Sequence, residues 1–244
     1  MSLASLVVSG DRLALSRAIT SVENGDAGAR ELLEELYRRV GHARRIGFKG
    51  PPGVGKSTVV SELAKHWRSK NRTVGIVAVD PSSPFTGGAL LGDRIRMNSV
   101  GMDPGVFIRS MATRGALGGL ARATYDACDV LDASGKDIVM VETVGVGQSE
   151  IEIVRVADTT IVILSPESGD GVQAMKSGLM EIADVIVINK ADRAGADALE
   201  SSIRSSFELS TSRRAPAIVQ TAAATGKGIA EAASTIEAHT EKME

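Results

Sequence analysis

The sequence predicts an α/β fold: a doubly wound, mainly parallel sheet preceded by a short helical hairpin. Three observations carry that expectation. Short runs such as "DIVMVET" and "DVIVINK" are apolar on successive residues, as strands buried on both faces must be. Longer stretches with helical spacing separate most of these runs, and parallel strands need such crossovers. The N-terminal part shows only the helical period.

From Asp11 to Val40 the apolar residues Leu15, Ile19 and Val22, then Leu32, Leu33, Leu36, Tyr37 and Val40, recur at helical spacing with "ENGD" between them. Two helices follow from this, with Asp11 and Asp26 as N-caps whose carboxylates accept from first-turn amides. A helical extension over residues 1–43 is therefore expected ahead of a single α/β domain over 44–244. The strands expected in that domain are "RIGFK", "TVGIVAVD", "GVFIRS", "DIVMVET", "TTIVILS", "DVIVINK" and "APAIVQT". Helices are expected at "STVVSELAKHWRSK", "LGGLARATYDACDVLDAS" and "GVQAMKSGLMEIA".

With 43% hydrophobic and 24% charged residues the composition is that of a globular protein, and a net charge of −2 gives no reason to expect nucleic acid as partner. No apolar run approaches the ~20 residues that span a bilayer, and "MSLASLVVSGDR" has no basic region of a leader, so a cytoplasmic location and no membrane partner are expected. The single cysteine, Cys128, excludes an internal disulfide and reads as a packed thiol. His42, His66 and His239 lack metal-ligand spacing, which disfavours zinc or nickel.

The stretch "GPPGVGKS", Gly50 to Ser57, fits G-x-x-x-x-G-K-[ST] between an expected strand and an expected helix, the setting of a P-loop NTPase. Gly50, Gly53 and Gly55 let the backbone curl so that its amides point inward, and the helix beginning near Lys56 adds its positive end. Lys56 is expected on the β- and γ-phosphates and Ser57 on magnesium, with Val54 and Thr58 completing the nucleotide-binding segment. The plain alternative is a glycine turn with an incidental lysine.

"VIVINKAD", Val185 to Asp192, places N-K-x-D at the carboxyl end of a strand. A carboxylate at Asp192 accepts from both N1–H and the 2-amino group of guanine, whereas adenine offers an acceptor at N1 and nothing at C2. Lys190 would lie along the base and Asn189 would tie neighbouring loops together, while the backbone of Thr221 and Ala222 would suit the guanine O6. A solvated helix N-terminus is the bland reading of the same residues.

Strand "TVGIVAVD" ends in Asp80 and is followed by "PSSPFTGGALLGDRIRM", where Asp80 and Asp93 are expected to project toward the magnesium; a helix cap is the other reading of Asp93. Glu142 ends the strand where nucleotide hydrolases carry a second magnesium carboxylate, here one methylene longer and suited to acting through a coordinated water. The Gly145 amide would meet the γ-phosphate, so that its loss releases the turn; a simple β-turn is the alternative. Lys56, Asp93, Glu142 and Gly145 are thus the expected catalytic set, and Ser57, Asp80, Asp93 and Glu142 the metal set.

Together "GPPGVGKST", "VAVDPSSPFTGGALLGDRIRM", "VETVGVGQSE", "GLMEIADVIVINKAD" and "GDRLALSRAITSVENG" resemble the MeaB/ArgK family of SIMIBI-class P-loop GTPases. The resemblance implies a GTPase chaperone that gates cofactor loading or protection of an adenosylcobalamin-dependent acyl-CoA mutase such as methylmalonyl-CoA mutase, with GTP/GDP and Mg2+ as ligands. It implies phosphate binding by Gly50 to Ser57, magnesium and switch roles for Asp80, Asp93 and Glu142, and guanine binding by Asn189 to Asp192. "SPESGDGVQAMK", Ser165 to Lys176, matches the place of a further switch-like loop that reports nucleotide state to the mutase. Family members continue into a C-terminal arm that joins two subunits, and the sequence stops at Glu244 without it, which leaves a homodimer open.

D-x-H-x-x-G, which resembles the cobalamin-binding signature, is absent, so the cobalamin is expected on the partner. Hydrolysis is expected to be slow alone and partner-stimulated, because Val146 follows the Gly145 position where Ras-like switches place a glutamine; Gln148 and Asp93 are the candidates for placing water. A metallochaperone GTPase of the urease or hydrogenase type and an ArgK-type kinase are the alternative readings. The first should show clustered cysteines or histidines, and the second an acceptor motif.

Overall fold

The computed structural model describes residues 1–80, 97–112, 119–143, 155–168, 179–208 and 215–242. Three helices come first: α1 (Leu3–Val8), α2 (Arg12–Asn24) and α3 (Ala29–Leu36). Then follow β1 (Arg44–Lys49), α4 (Lys56–Ser69), β2 (Val74–Asp80), α5 (Asn98–Gly101), β3 (Val106–Ala112), α6 (Gly119–Ala133) and β4 (Ile138–Thr143). The chain continues through β5 (Thr159–Leu164), β6 (Val185–Asn189), α7 (Ala196–Glu208), β7 (Ala217–Thr221) and α8 (Ile229–Thr240).

All the apolar runs expected as strands pair, and every pair is parallel, in the order β3-β2-β4-β1-β5-β6-β7. Alternate residues of each strand enter opposite cores. Ile138 and Met140 of β4, with Ile46, Phe48, Ile161, Ile163, Val185 and Val187, face the core that α4 and α8 close with Leu63, Trp67, Ala232 and Ile236. Val139 and Val141 face the other side, where Leu15, Ile19 and Leu36 of the N-terminal helices meet Cys128 and Leu131 of α6. Farther along that side Val162, Leu164, Ile186 and Ile188 pack with Ile203 of α7. Each fully buried aliphatic side chain contributes on the order of 1.5–3 kcal/mol, which explains why the strands carry no polar face.

The N-terminal layer departs from a two-helix hairpin. Ser2 caps an additional short helix, α1, by accepting from the Ser5 amide. Asp11 caps α2, with Oδ1 accepting from the Ala14 amide at 2.7 Å, but Asp26 caps nothing: α3 begins at Ala29 behind Gly28, and Asp26 contributes only its backbone carbonyl to the Ala29 amide. "ENGD" closes α2 through the left-handed Gly25, and the chain needs further turn residues before the next helix starts.

This layer is fastened to the sheet by a buried charge cluster. Asp132 accepts from the amides of Gly41 (2.8 Å) and Ala43 (3.0 Å), and Arg45 Nη2 bridges Asp129 and Asp132 at 2.6 and 3.3 Å. Burial pushes the Asp129 carboxyl up against the opposing pull of Arg45. Cys128 lies fully buried beside them, and burial drives its thiol up to about 12. The segment expected as a helix at "GVQAMKSGLMEIA" is described only at its end, where Leu179–Ile182 forms a 3-10 turn. Among the described residues no helix is long and apolar enough to cross a membrane.

Candidate functional site: a P-loop joined to the N-K-x-D strand

In an open parallel sheet, ligands bind at the carboxyl ends of the strands where the chain changes direction. Here β1 is flanked by β4 and β5, and the loop leaving it, residues 50–55, runs into α4. Two glycines are dictated by close approach. A Cβ on Gly50 would lie 2.1 Å from the Ile163 carbonyl of β5, and one on Gly55, at φ +91°, would lie 2.5 Å from Asn189 Nδ2. The loop therefore sits tightly against the neighbouring strands. Val54 beneath it is fully buried, whereas Thr58 on the first turn of α4 is exposed.

Lys56 is buried, and its ammonium donates to the carbonyls of Gly50 at 2.8 Å and Pro51 at 2.9 Å. A cation is thus held inside the loop at the positive end of a helix. Strand parity places Glu142 on the same face as Ile138 and Met140, the face that α4 covers. Its carboxylate, on a residue only 2% exposed, accepts from the Ser57 hydroxyl at 2.8 Å. Hydroxyl and carboxylate oxygens are the hard donors that Mg2+ prefers, so these residues fit that ion. No group of three or more His, Cys, Asp or Glu able to hold a metal occurs among the described residues. Oxygens from a bound phosphate would have to complete the shell, as is usual for magnesium at nucleotide sites.

Asn189, at the end of β6, is 3% exposed and uses both ends of its amide. Nδ2 donates to the Val54 carbonyl at 2.9 Å, and Oδ1 accepts from Thr221 Oγ1 and the Ala223 amide, each at 3.1 Å. One side chain so links the phosphate loop, β6 and the segment after β7. Lys190 follows with φ +59°, and a turn closes with the Arg193 amide donating to the Lys190 carbonyl at 3.0 Å; Asp192 is exposed upon it. The Ala191 amide ties this turn to the Thr221 carbonyl at 2.9 Å.

At the segment whose Thr221 and Ala222 backbone is expected near the guanine O6, the Ala222 amide donates to the Lys227 carbonyl at 3.0 Å in a small antiparallel bridge that precedes α8. Asp80 ends β2, and its side chain lies outside the described residues, as do Asp93, Gly145, Val146 and Gln148. Most of Ser165 to Lys176 lies outside them too. Two contributors had no motif to mark them, Ile163 through its carbonyl and Ala223 through its amide; a third, Glu167, lies in the "SPESGDGVQAMK" segment without a role assigned to it and ion-pairs with Lys190 and Arg193. Glu167 carries one signal in the sequence, an acid just beyond the strand that neighbours β6.

Known proteins resemble this chain over nearly its whole length. Residues 15–244 match the family described as methylmalonyl-CoA mutase-associated GTPase MeaB. A Pyrococcus abyssi protein named as a GTPase is 52% identical over 240 residues, covering 96% of this chain and 74% of its own length. The Mus musculus protein named methylmalonic aciduria type A homolog, mitochondrial, is 36% identical, covering 92% of this chain and 59% of that protein. Among solved structures, one described as LAO/AO transport system kinase superimposes with a TM-score of 0.79 at 29% identity, over 98% of this chain and 74% of that one. With a phosphate loop and an N-K-x-D turn held in one hydrogen-bonded frame and a family match over nearly its full length, the chain belongs to the MeaB family of GTPases.

Proposed function

We propose that this chain binds GTP with Mg2+, hydrolyses it slowly on its own, and serves as a chaperone that gates cofactor loading or protection of an adenosylcobalamin-dependent acyl-CoA mutase. The observation that carries the nucleotide reading is the Asn189 side chain, which joins the phosphate loop to the N-K-x-D strand and so makes one site of two motifs. The mutase reading is supported by the family description and by the name of the mouse relative.

In this reading the Lys56 ammonium exchanges the Gly50 and Pro51 carbonyls for β- and γ-phosphate oxygens. Ser57 would supply a hydroxyl oxygen to magnesium, and Glu142, hydrogen-bonded to that hydroxyl, would help hold the ion through an intervening water. When bound, the ion neutralises charge that develops between the β- and γ-phosphoryl oxygens. Asp80 and Asp93 complete the magnesium side, and the Gly145 amide senses the γ-phosphate. Asp192 reads the N1–H and 2-amino edge of guanine, with Lys190 along the ring.

Calorimetry with GTP and ATP, each with magnesium, tests the base reading: GTP should bind and ATP should not, and equal affinities would refute it. Single-turnover hydrolysis with and without a purified acyl-CoA mutase tests the chaperone reading. The free protein should be slow and the mutase should accelerate it, whereas fast turnover indifferent to any mutase would mark a self-contained enzyme.

A further inference from the structure

We infer that Glu167 is a positioning residue for base selection, holding Asp192 at the angle from which it reads guanine; this rests on the guanine reading proposed above. Glu167 lies in the 3-10 turn Pro166–Ser168 directly after β5. Because β5 and β6 are neighbours in the sheet, the residues directly after their ends lie close together. A Cβ on Gly195 would already touch Pro166 Cβ at 3.5 Å.

Lys190 and Arg193 are the first and last residues of the turn that carries Asp192, and that turn is closed by their backbone hydrogen bond of 3.0 Å. One carboxylate grips both ends. Glu167 Oε2 accepts from Lys190 Nζ at 3.2 Å, while its other oxygen pairs with Arg193 Nη1. Lys190 adopts left-handed backbone, which a residue with a side chain seldom takes without help from its surroundings. Pairing its side chain across the loop supplies such help.

A carboxylate that must accept from two adjacent donors on a flat base needs a defined direction, since hydrogen bonds weaken steeply as they bend. Loosening the turn would therefore blunt base discrimination although Glu167 itself touches no base. The competing explanation is a surface ion pair, at 42% exposure for Glu167, with a small effect on stability and none on selectivity.

The test measures equilibrium binding of GDP, GTP, IDP and ADP to the full chain and to Glu167→Gln and Glu167→Asp. IDP lacks the 2-amino group and so reports how well Asp192 is aimed. Glu167→Gln should weaken GDP and GTP by the same factor, about fivefold, and shrink the GDP-to-IDP preference, with Glu167→Asp restoring part of both. A variant with unchanged GDP affinity and unchanged GDP-to-IDP ratio overturns the inference, as does a loss confined to GTP. If the unmodified protein binds ADP as tightly as GDP, the guanine reading fails and this inference falls with it. Selective unmodified protein with an indifferent Glu167→Gln defeats the inference alone.

Discussion

Ser57 donates its hydroxyl hydrogen to the carboxylate of Glu142 across 2.8 Å, joining the first turn of α4 to the end of β4. This bond leaves the serine oxygen its lone pairs and keeps a buried carboxylate beside it. Glu142→Gln preserves the shape and removes the charge. It is expected to lower the single-turnover rate of GTP hydrolysis by about a hundredfold while leaving GDP affinity nearly intact. Rapid-quench kinetics beside calorimetry checks both parts, and an unchanged rate would remove Glu142 from the chemistry.

Asn189→Ala deletes one side chain but strands three partners: the Val54 carbonyl, the Thr221 hydroxyl and the Ala223 amide. Buried groups left without partners are costly, so a stability loss of about 3 kcal/mol is expected in urea titrations. Nucleotide affinity should fall as well, because the loop and the base turn lose their common tether.

Gly55→Ala tests the same contact from the other side. The added carbon would lie 2.5 Å from Asn189 Nδ2 at a residue with φ +91°, so both sterics and backbone oppose it. The expectation is loss of nucleotide binding with α-helical circular dichroism largely retained, and a variant that binds GTP normally would refute the packing argument.

The Cys128 thiol, buried and pushed up to about 12, should not react with a thiol reagent at pH 8 until the protein unfolds. Its labelling rate in increasing urea should follow the unfolding curve. Immediate stoichiometric labelling of native protein would contradict its packing.

Asp137 gives a pH dependence with a definite sign. Burial raises its carboxyl, but donation from the Thr73 amide (2.6 Å) and hydroxyl (2.7 Å), together with Arg72, outweighs that and holds it below the ordinary aspartate range. A depressed folded-state value means stability present above the unfolded pKa and lost as pH falls through the folded one. Thermal melts should accordingly show a drop on the acid side of the ordinary aspartate range, and Asp137→Asn should flatten that limb.

Much of this fold is legible in the sequence because the sheet is buried on both faces. "DIVMVET" leaves no polar face to confuse the reading, and the residue that breaks the apolar run, Glu142, is the one at the site. The same holds for "VIVIN" and Asn189. Caps and loops are less legible, since they depend on how many residues a turn consumes. Asp26 has the chemistry of a cap but stands too early, and the bridge that ties the Ala222 amide to Lys227 has no local pattern to announce it. Glu167 is hidden for a different reason: its partners lie across a strand neighbour relation that no local pattern encodes.

The link made by Asn189 also turns the site into a caliper. Its two jaws, the phosphate loop and the base turn, are joined through one side chain that spends both ends of its amide on holding them, so their separation is a property of the folded frame. On the proposed guanine reading, a nucleoside should reach one jaw and inorganic triphosphate the other, and only a ligand of matching length should close both. Recognition is then of span as much as of base, and the binding free energy of the whole nucleotide should exceed what its two fragments achieve apart.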